Sequence, residues 1–276
     1  MRSKCVALAL CCALEFWLAA FAQEGLSSVS VPSACMRKDI PAAVILPKGY
    51  ETDPLRRWPV VYLLHGASDS EKHAHEPIFR ELADREGVIV VCPRATRTWW
   101  LDSPVDSRCR YETFMTRELV PWIDVHYRTI ADRRHRGLTG NSMGGHGSFW
   151  LALRHKDLFG AVGNVFGGVD LWPYHDWGKW GLKEILGERE EDWRACSVLT
   201  EAKTLKDGEL ACLTAVGSND IFIEPNRRLH SLLLRNGVQH FYIECIGSHD
   251  AEFYREFYPV MFRFLSAYFR TGRGSL

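Results

Sequence analysis

The chain has no excess of charge of either sign: 34 Lys and Arg face 34 Asp and Glu across 276 residues, for a formal net charge of +0. That balance excludes the basic footprint of a nucleic-acid binder and the polybasic patch of a lipid-surface protein. No C-x-x-C pair occurs among the nine cysteines, so the usual spacing of a structural zinc site is missing. No apolar run is long and uninterrupted enough to span a membrane. Internal repeats, low-complexity tracts and linker-like stretches are also lacking. With 46% hydrophobic residues, the remaining reading is a single globular domain with a sizeable core.

The N-terminus reads as an address. Arg2 and Lys4 open the chain, Val6 to Ala20 is mostly apolar, and Ala20-Phe21-Ala22 offers a small-x-small cleavage pattern. Glu15 is the one charge that interrupts this run. The expectation is a signal peptide over residues 1–22 and a mature domain over 23–276, secreted or periplasmic, with no stable membrane insertion after cleavage. Cys5, Cys11 and Cys12 leave with the signal. Cys35, Cys92, Cys109, Cys196, Cys212 and Cys245 remain, an even number that fits a disulfide-permissive compartment while leaving the pairing open.

Short β-branched runs alternate with amphipathic stretches along the rest of the chain. Residues 42–47, 59–66, 87–93, 136–140, 159–168, 211–217 and 239–247 read as strands. Residues 112–127, 224–237 and 251–269 read as helices, the first of them containing Pro121. Continuous apolar strands separated by helices predict a mainly parallel, doubly wound sheet covered on both faces.

Within that pattern, "LTGNSMGGHGSFWLALRH" sets Ser142 among Gly140, Gly144, Gly145 and Gly147. Glycine costs about 1 kcal/mol relative to alanine inside a helix, so helix stability does not explain this density. Gly140-Asn141-Ser142-Met143-Gly144 is a G-x-S-x-G pentapeptide between a strand and a helix, the context of a nucleophile elbow. A turn that sharp strains the serine backbone, needs small neighbours and lifts the hydroxyl to a helix N-terminus. The competing reading is a glycine-rich turn around an inert serine.

A nucleophilic serine needs a base, and the base needs an orienting acid. In the chain order Ser, acid, His, the strand "CLTAVG" ends in "SND" and the strand "FYIECIG" ends in "SHD". This places Asp220 and His249 past strand C-termini, where doubly wound sheets build their sites. Asp170 and Glu224 are rival acids, and Asp250 reads as the cap of the last helix. "YLLHGASDS" ends another strand, so the N–H of Ala67 is the candidate oxyanion donor beside that of Met143. His65 is expected to brace this loop from the core side.

Four stretches, "VVYLLHGASDS", "WWLDSPVDSRCRYETFMTRELVPWID", "GNSMGGHGSFWLALRHKDLFGAVGNVFGGVDL" and "GSNDIFIEPNRRLH…GSHDAEF", resemble the esterase family related to esterase D. That family spans carbohydrate esterase family 1, feruloyl esterases, S-formylglutathione hydrolases and the antigen 85 mycolyltransferases. The resemblance covers most of residues 40–265 in family order. It implies an α/β-hydrolase fold, a Ser142–Asp220–His249 triad and oxyanion donors at Ala67 and Met143. Asn141, Ala67 and the segment "HAHEPIF" (residues 73–79) depart from the family's pattern. The substrate expected is a small-molecule or carbohydrate ester carrying a short acyl, acetyl or feruloyl group.

Ten tryptophans suit that substrate, because an indole face stacks on a sugar or a phenolic ring. They gather in "RTWWLDSP" and "DLWPYHDWGKW", and Trp100 and Trp177 are the expected substrate contacts, against a plain role as loop anchors. No cofactor is expected. His73, His75 and Glu76 lack the further ligand of a metal site, and no metal is expected there. Two alternatives stand beside hydrolysis: acyl transfer to a sugar hydroxyl by the same residues, and a noncatalytic binding module on this fold.

Overall fold

The computed structural model describes residues 25–276. The expected signal segment, residues 1–22, lies outside the described residues. The sheet has eight strands: β1 (Leu26–Ser33), β2 (Lys38–Ile45), β3 (Val60–Leu64), β4 (Ile89–Pro93), β5 (Arg136–Asn141), β6 (Ala161–Val165), β7 (Ala211–Gly217) and β8 (Phe241–Cys245). Their order is β1-β2-β4-β3-β5-β6-β7-β8. β1 and β2 pair antiparallel, as do β2 and β4, and every later pairing is parallel.

The central strands are buried on both faces, which explains their unbroken apolar runs. Val60, Tyr62 and Leu64 of β3 point into one core, and Val61 and Leu63 point into the other. Four long helices cover the sheet: α1 (Pro77–Glu86), α2 (Met143–Arg154), α3 (Ile223–Arg235) and α4 (Ala251–Thr271). Phe149 of α2 and Leu229 of α3 fill the first core; Phe79 of α1 and Met261, Phe262 and Leu265 of α4 fill the second. The Asp250 side chain caps α4 by accepting from the Phe253 N–H at 3.0 Å, and Gly272 in a left-handed conformation closes its other end. Among the described residues, no helix is long and apolar enough to cross a membrane.

Two features depart from the sequence reading, and the cysteine pairing that it left open is also seen. β1 is an added edge strand and β2 starts at Lys38, four residues earlier than the apolar run, because β1 has exposed serines and no continuous apolar stretch to announce it. The helix expected over 112–127 contains a π-helical stretch, Phe114–Leu119, in which the Val120 N–H reaches back to the Met115 carbonyl. Pro121 follows directly and has no N–H for a regular α-helical bond, so the wider turn precedes it. The six cysteines among the described residues are all free thiols.

Candidate active site

The site starts where β5 stops. Ser142 follows that strand directly with φ 57° and ψ −119°, a strained conformation for a side-chain-bearing residue. The glycines around it are sterically required. A Cβ on Gly144 would fall 1.7 Å from the Leu64 carbonyl oxygen, and one on Gly140 would come within 2.6 Å of the Gly144 backbone. The helix α2 therefore begins pressed against β3 and β5. The Ser142 N–H donates to the Val165 carbonyl at 3.1 Å, tying the turn to β6.

β7 and β8 deliver the other two side chains. Their ends approach so closely that a Cβ on Gly217 would lie 2.4 Å from the Gly247 backbone. The Asn219 N–H donates to the Gly247 carbonyl at 2.9 Å, coupling the two turns. His249 Nδ1 lies 2.9 Å from Asp220 Oδ2, and His249 Nε2 lies 2.9 Å from Ser142 Oγ. The buried Asp220 carboxylate also accepts the Phe222 N–H through Oδ1 at 2.7 Å. With Nδ1–H donating to the carboxylate, Nε2 is left to accept the serine proton. Phe166 and Phe222 flank the imidazole, with ring centroids 4.3 and 5.4 Å away.

The rival acids are occupied elsewhere. Asp170 pairs with Arg228 at 3.0 Å and lies 3.3 Å from the Ser197 hydroxyl, and exposed Glu224 pairs with Arg227 at 2.6 Å.

Two backbone donors border the serine. Met143 is the first residue of α2, so its N–H has no acceptor within the helix. The Ala67 N–H finds no acceptor among the described residues. The Ala67 loop is held from below by His65, whose Nε2 accepts the Ala95 N–H at 3.0 Å while Nδ1 meets the Gly66 carbonyl at 2.8 Å. Burial pushes the His65 imidazole down to about 4, so it is a neutral brace, as the sequence predicts. Arg94, just past β4, grips Glu71 with two bonds of 2.6 Å and anchors the far side of the same loop.

Ser142 and His249 open into a cleft of about 260 Å³, whose other lining includes Ala67, Phe166, Trp180 and Tyr254. A second cleft of about 630 Å³ shares Ser68 and Trp180 with the first and is also lined by Arg97, Thr98, Lys179 and Glu184.

One of the two expected substrate contacts, Trp100, needs correction. Trp100 is fully buried, with its indole against Gly147 of α2 and His65 beneath it at a centroid distance of 5.3 Å. It supports the Ala67 loop and presents no face to a ligand. Trp177 is exposed and sits 5.1 Å from the Trp180 ring, outside the lining of both clefts. The tryptophan that lines the cleft is Trp180, whose carbonyl accepts the Trp99 indole N–H at 3.0 Å. The available signal for it was the pair Gly178 and Gly181, both at positive φ, which turn the chain on either side of Lys179 and Trp180. Tyr254 and Phe166 also line the cleft without having been singled out. His73 is buried while His75 is exposed, so they do not converge. No group of three His, Cys, Asp or Glu side chains placed to hold a metal ion occurs among the described residues.

A family model described as "Putative esterase" matches residues 33–265. An esterase of Mycobacterium tuberculosis is 32% identical over 133 residues, covering 46% of this chain but only 29% of that protein. The S-formylglutathione hydrolase of Mus musculus is 22% identical over 209 residues, 68% of this chain and 72% of its own. Among solved structures, a ferulic acid esterase superposes with a TM-score of 0.77 at 24% identity, covering 88% of this chain and 98% of that one. This last likeness carries the fold, an α/β-hydrolase sheet in a single domain.

Proposed function

The chain belongs to the esterase family matched over residues 33–265, and from that premise we propose a serine carboxylic-ester hydrolase working through an acyl-enzyme. The observation that carries the reading is the unbroken relay from Ser142 Oγ through His249 to buried Asp220, with both links at 2.9 Å. Ser142 attacks the ester carbonyl as neutral His249 takes its proton. The imidazolium, held by Asp220, then returns that proton to the leaving alcohol. Water repeats the sequence on the acyl-enzyme and releases the acid. The developing oxyanion sits between the N–H groups of Ala67 and Met143, at the positive end of α2.

The substrate side of the proposal follows from the two clefts. The smaller one, at Ser142, suits a short acyl or acetyl group, and an aromatic acyl group such as feruloyl would reach along Trp180. The larger one suits a sugar alcohol, which Trp180 borders on one side. An exported enzyme, with residues 1–22 removed, fits an extracellular carbohydrate ester better than a cytosolic thioester. Nothing in the relay calls for a cofactor.

Ser142→Ala tests the reading. Turnover of a short-chain nitrophenyl ester should fall by about 10⁵–10⁶-fold, the scale for a lost catalytic serine, with an unchanged circular dichroism spectrum. A serine-directed phosphonate should label Ser142 in the parent protein. Labelling at Ser68 or Ser248, or none, would remove the basis of the assignment.

A further inference from the structure

The segment "HAHEPIF" has no part in the Ser142 relay, yet it buries an imidazole close to it. His73 is 2% exposed and lies among Phe79, Tyr254 and Tyr258, at centroid distances of 4.8, 5.3 and 5.8 Å. Its Nε2 stands 3.3 Å from the Tyr258 hydroxyl oxygen. Tyr258, fully buried on α4, donates its proton to Asn141 Oδ1 at 2.8 Å. That direction leaves the phenol oxygen as acceptor, so His73 carries a proton on Nε2. At the other end, His73 Nδ1 lies 2.9 Å from Asp69 Oδ2 and 3.5 Å from Glu76 Oε1. Nδ1 makes no hydrogen bond, and its approach to the Asp69 carboxylate is favourable only with a second proton on that nitrogen, as in an imidazolium. Burial alone would raise the Asp69 carboxyl, but His73 and the Ser70 N–H outweigh it and hold the group below the ordinary carboxylate range. Glu76 is itself fixed by Tyr254 at 2.7 Å and Arg255 at 2.8 Å.

The two ends of this chain of groups land on the two segments that carry the oxyanion donors. Asn141 immediately precedes Ser142 and Met143. Asp69 lies two residues past Ala67, and its N–H donates to the Gly66 carbonyl at 3.1 Å. The two segments also touch, since a Cβ on Gly66 would come within 3.1 Å of Asn141 Nδ2. Asp69 reaches solvent, but the His73–Tyr258–Asn141 part of the chain is buried and favours one register, because a slip there leaves a desolvated polar group without its partner.

We propose that Asp69, His73 and Tyr258 form a strut that sets the spacing between the Ala67 and Met143 N–H groups, making them positioning residues for ester hydrolysis. This rests on the Ser142 reading given above. Donors of an oxyanion hole act on charge that exists only near the tetrahedral state. Loosening the strut therefore lowers kcat and leaves ground-state binding nearly unchanged. A merely structural role would lower the melting temperature and leave the kcat of the folded fraction intact.

The test is Tyr258→Phe, which removes one oxygen and keeps the ring. With a nitrophenyl acetate substrate, kcat should fall about tenfold, equivalent to ~1.4 kcal/mol of barrier. KM should stay within about twofold, since that loss is confined to the transition state. The rate of phosphonate labelling at Ser142 should fall in parallel. An unchanged kcat, or equal changes in kcat and KM, overturns the strut. Should Tyr258→Phe not fold, His73→Gln and His73→Leu decide. Gln offers a donor toward Tyr258 and should keep more kcat than Leu at matched melting temperature; equal loss in both overturns the proposal. If the parent protein is not labelled at Ser142 at all, the serine reading has failed, which is a separate outcome from failure of the strut.

Discussion

The turns after β5, β7 and β8 build the relay at the smaller cleft and the two aromatic loops, residues 96–101 and 171–181, wall the larger one, by different physical means. In the turns, identity is dictated by close backbone approach. Gly144 meets the Leu64 carbonyl, and Gly217 meets Gly247, with no space for a Cβ. Side chains of fixed role then project from positions that the sheet itself determines. In the aromatic loops, backbone strain recurs without fixing which ring faces outward: Trp99, Trp100 and Trp180 take φ of 55°, 63° and 60°. Trp99 and Trp100 turn inward and are buried, while Trp180 reaches the rim. A strand end specifies a position above the sheet; a strained loop residue specifies only that neighbouring packing holds it in place.

The sharpest way to break the first half of that comparison is to exchange the acid. Asp220→Asn keeps the shape of the turn and removes the charge opposite His249. By the serine-hydrolase template, kcat should fall about 10⁴-fold because the imidazole loses its correct tautomer and its partner. Glu224→Gln, at an exposed ion pair with Arg227, should change kcat by less than about twofold, the scale of a surface pair. Steady-state kinetics on both variants decide it. Reversed effects would mean that strand-end placement is not what selects the acid.

The second half breaks differently. Trp100→Ala should cost about 3–5 kcal/mol of stability, the range for a large aromatic removed from a core, because its indole fills the space between Gly147 and His65. Thermal or urea unfolding reads this directly. Loss of activity should be the same for small and large esters. A stable Trp100→Ala protein with selective loss on large esters would instead place this ring at the substrate.

Two buried histidines, one under each region, link stability to pH. His65 braces the Ala67 loop, and His146 on α2 contacts the carbonyls of Trp99 and Cys196 at 3.1 and 3.0 Å. Burial lowers both imidazoles from 6.5 to about 4 in the folded protein. Between those values the unfolded chain binds protons that the folded chain refuses, so stability rises with pH across the window and is lost as pH falls from about 6.5 toward 4. Each group contributes on the order of a few kcal/mol to that loss. Melting temperature measured from pH 7 to 4 should fall accordingly, and His146→Gln should flatten the slope. A flat profile in the parent protein would show that neither ring stays neutral in the fold.

Legibility in the sequence follows the same division. The parallel sheet was readable because strands buried on both faces must be apolar throughout, as Val60–Leu64 and Ile89–Pro93 are. Ser142, Asp220 and His249 were readable as candidates because Ser142 follows β5 directly and the other two lie in the short turns just past β7 and β8. β1 was not, since an edge strand that alternates exposed serines with valines carries no distinctive run. The aromatic assignment misplaced Trp100 because burial of a loop indole depends on residues such as Gly147 and His65, far away in the chain. His73 was visible as an oddity, but its partners Tyr258 and Asn141 come from distant segments that only the fold unites.

The smallest expected effect is also the one that separates the two loop tryptophans most cleanly. Trp180 borders both clefts, is only partly buried, and is tethered through its carbonyl to the Trp99 indole rather than through its own ring. Trp180→Ala therefore removes an exposed face and leaves the tether in place, so the melting temperature should drop far less than in Trp100→Ala. If the ring stacks on a sugar or a phenolic acyl group, about 0.5–1.5 kcal/mol of contact energy is lost, and KM rises several-fold for a feruloyl or acetylated xylan ester. Nitrophenyl acetate, too small to span from Ser142 to the second cleft, should keep its KM within about twofold because it forgoes that contact altogether. Kinetics on the two esters with the same enzyme preparation give the ratio directly. An equal change in KM for both substrates would place the Trp180 ring outside the substrate path and leave the larger cleft without its stacking wall.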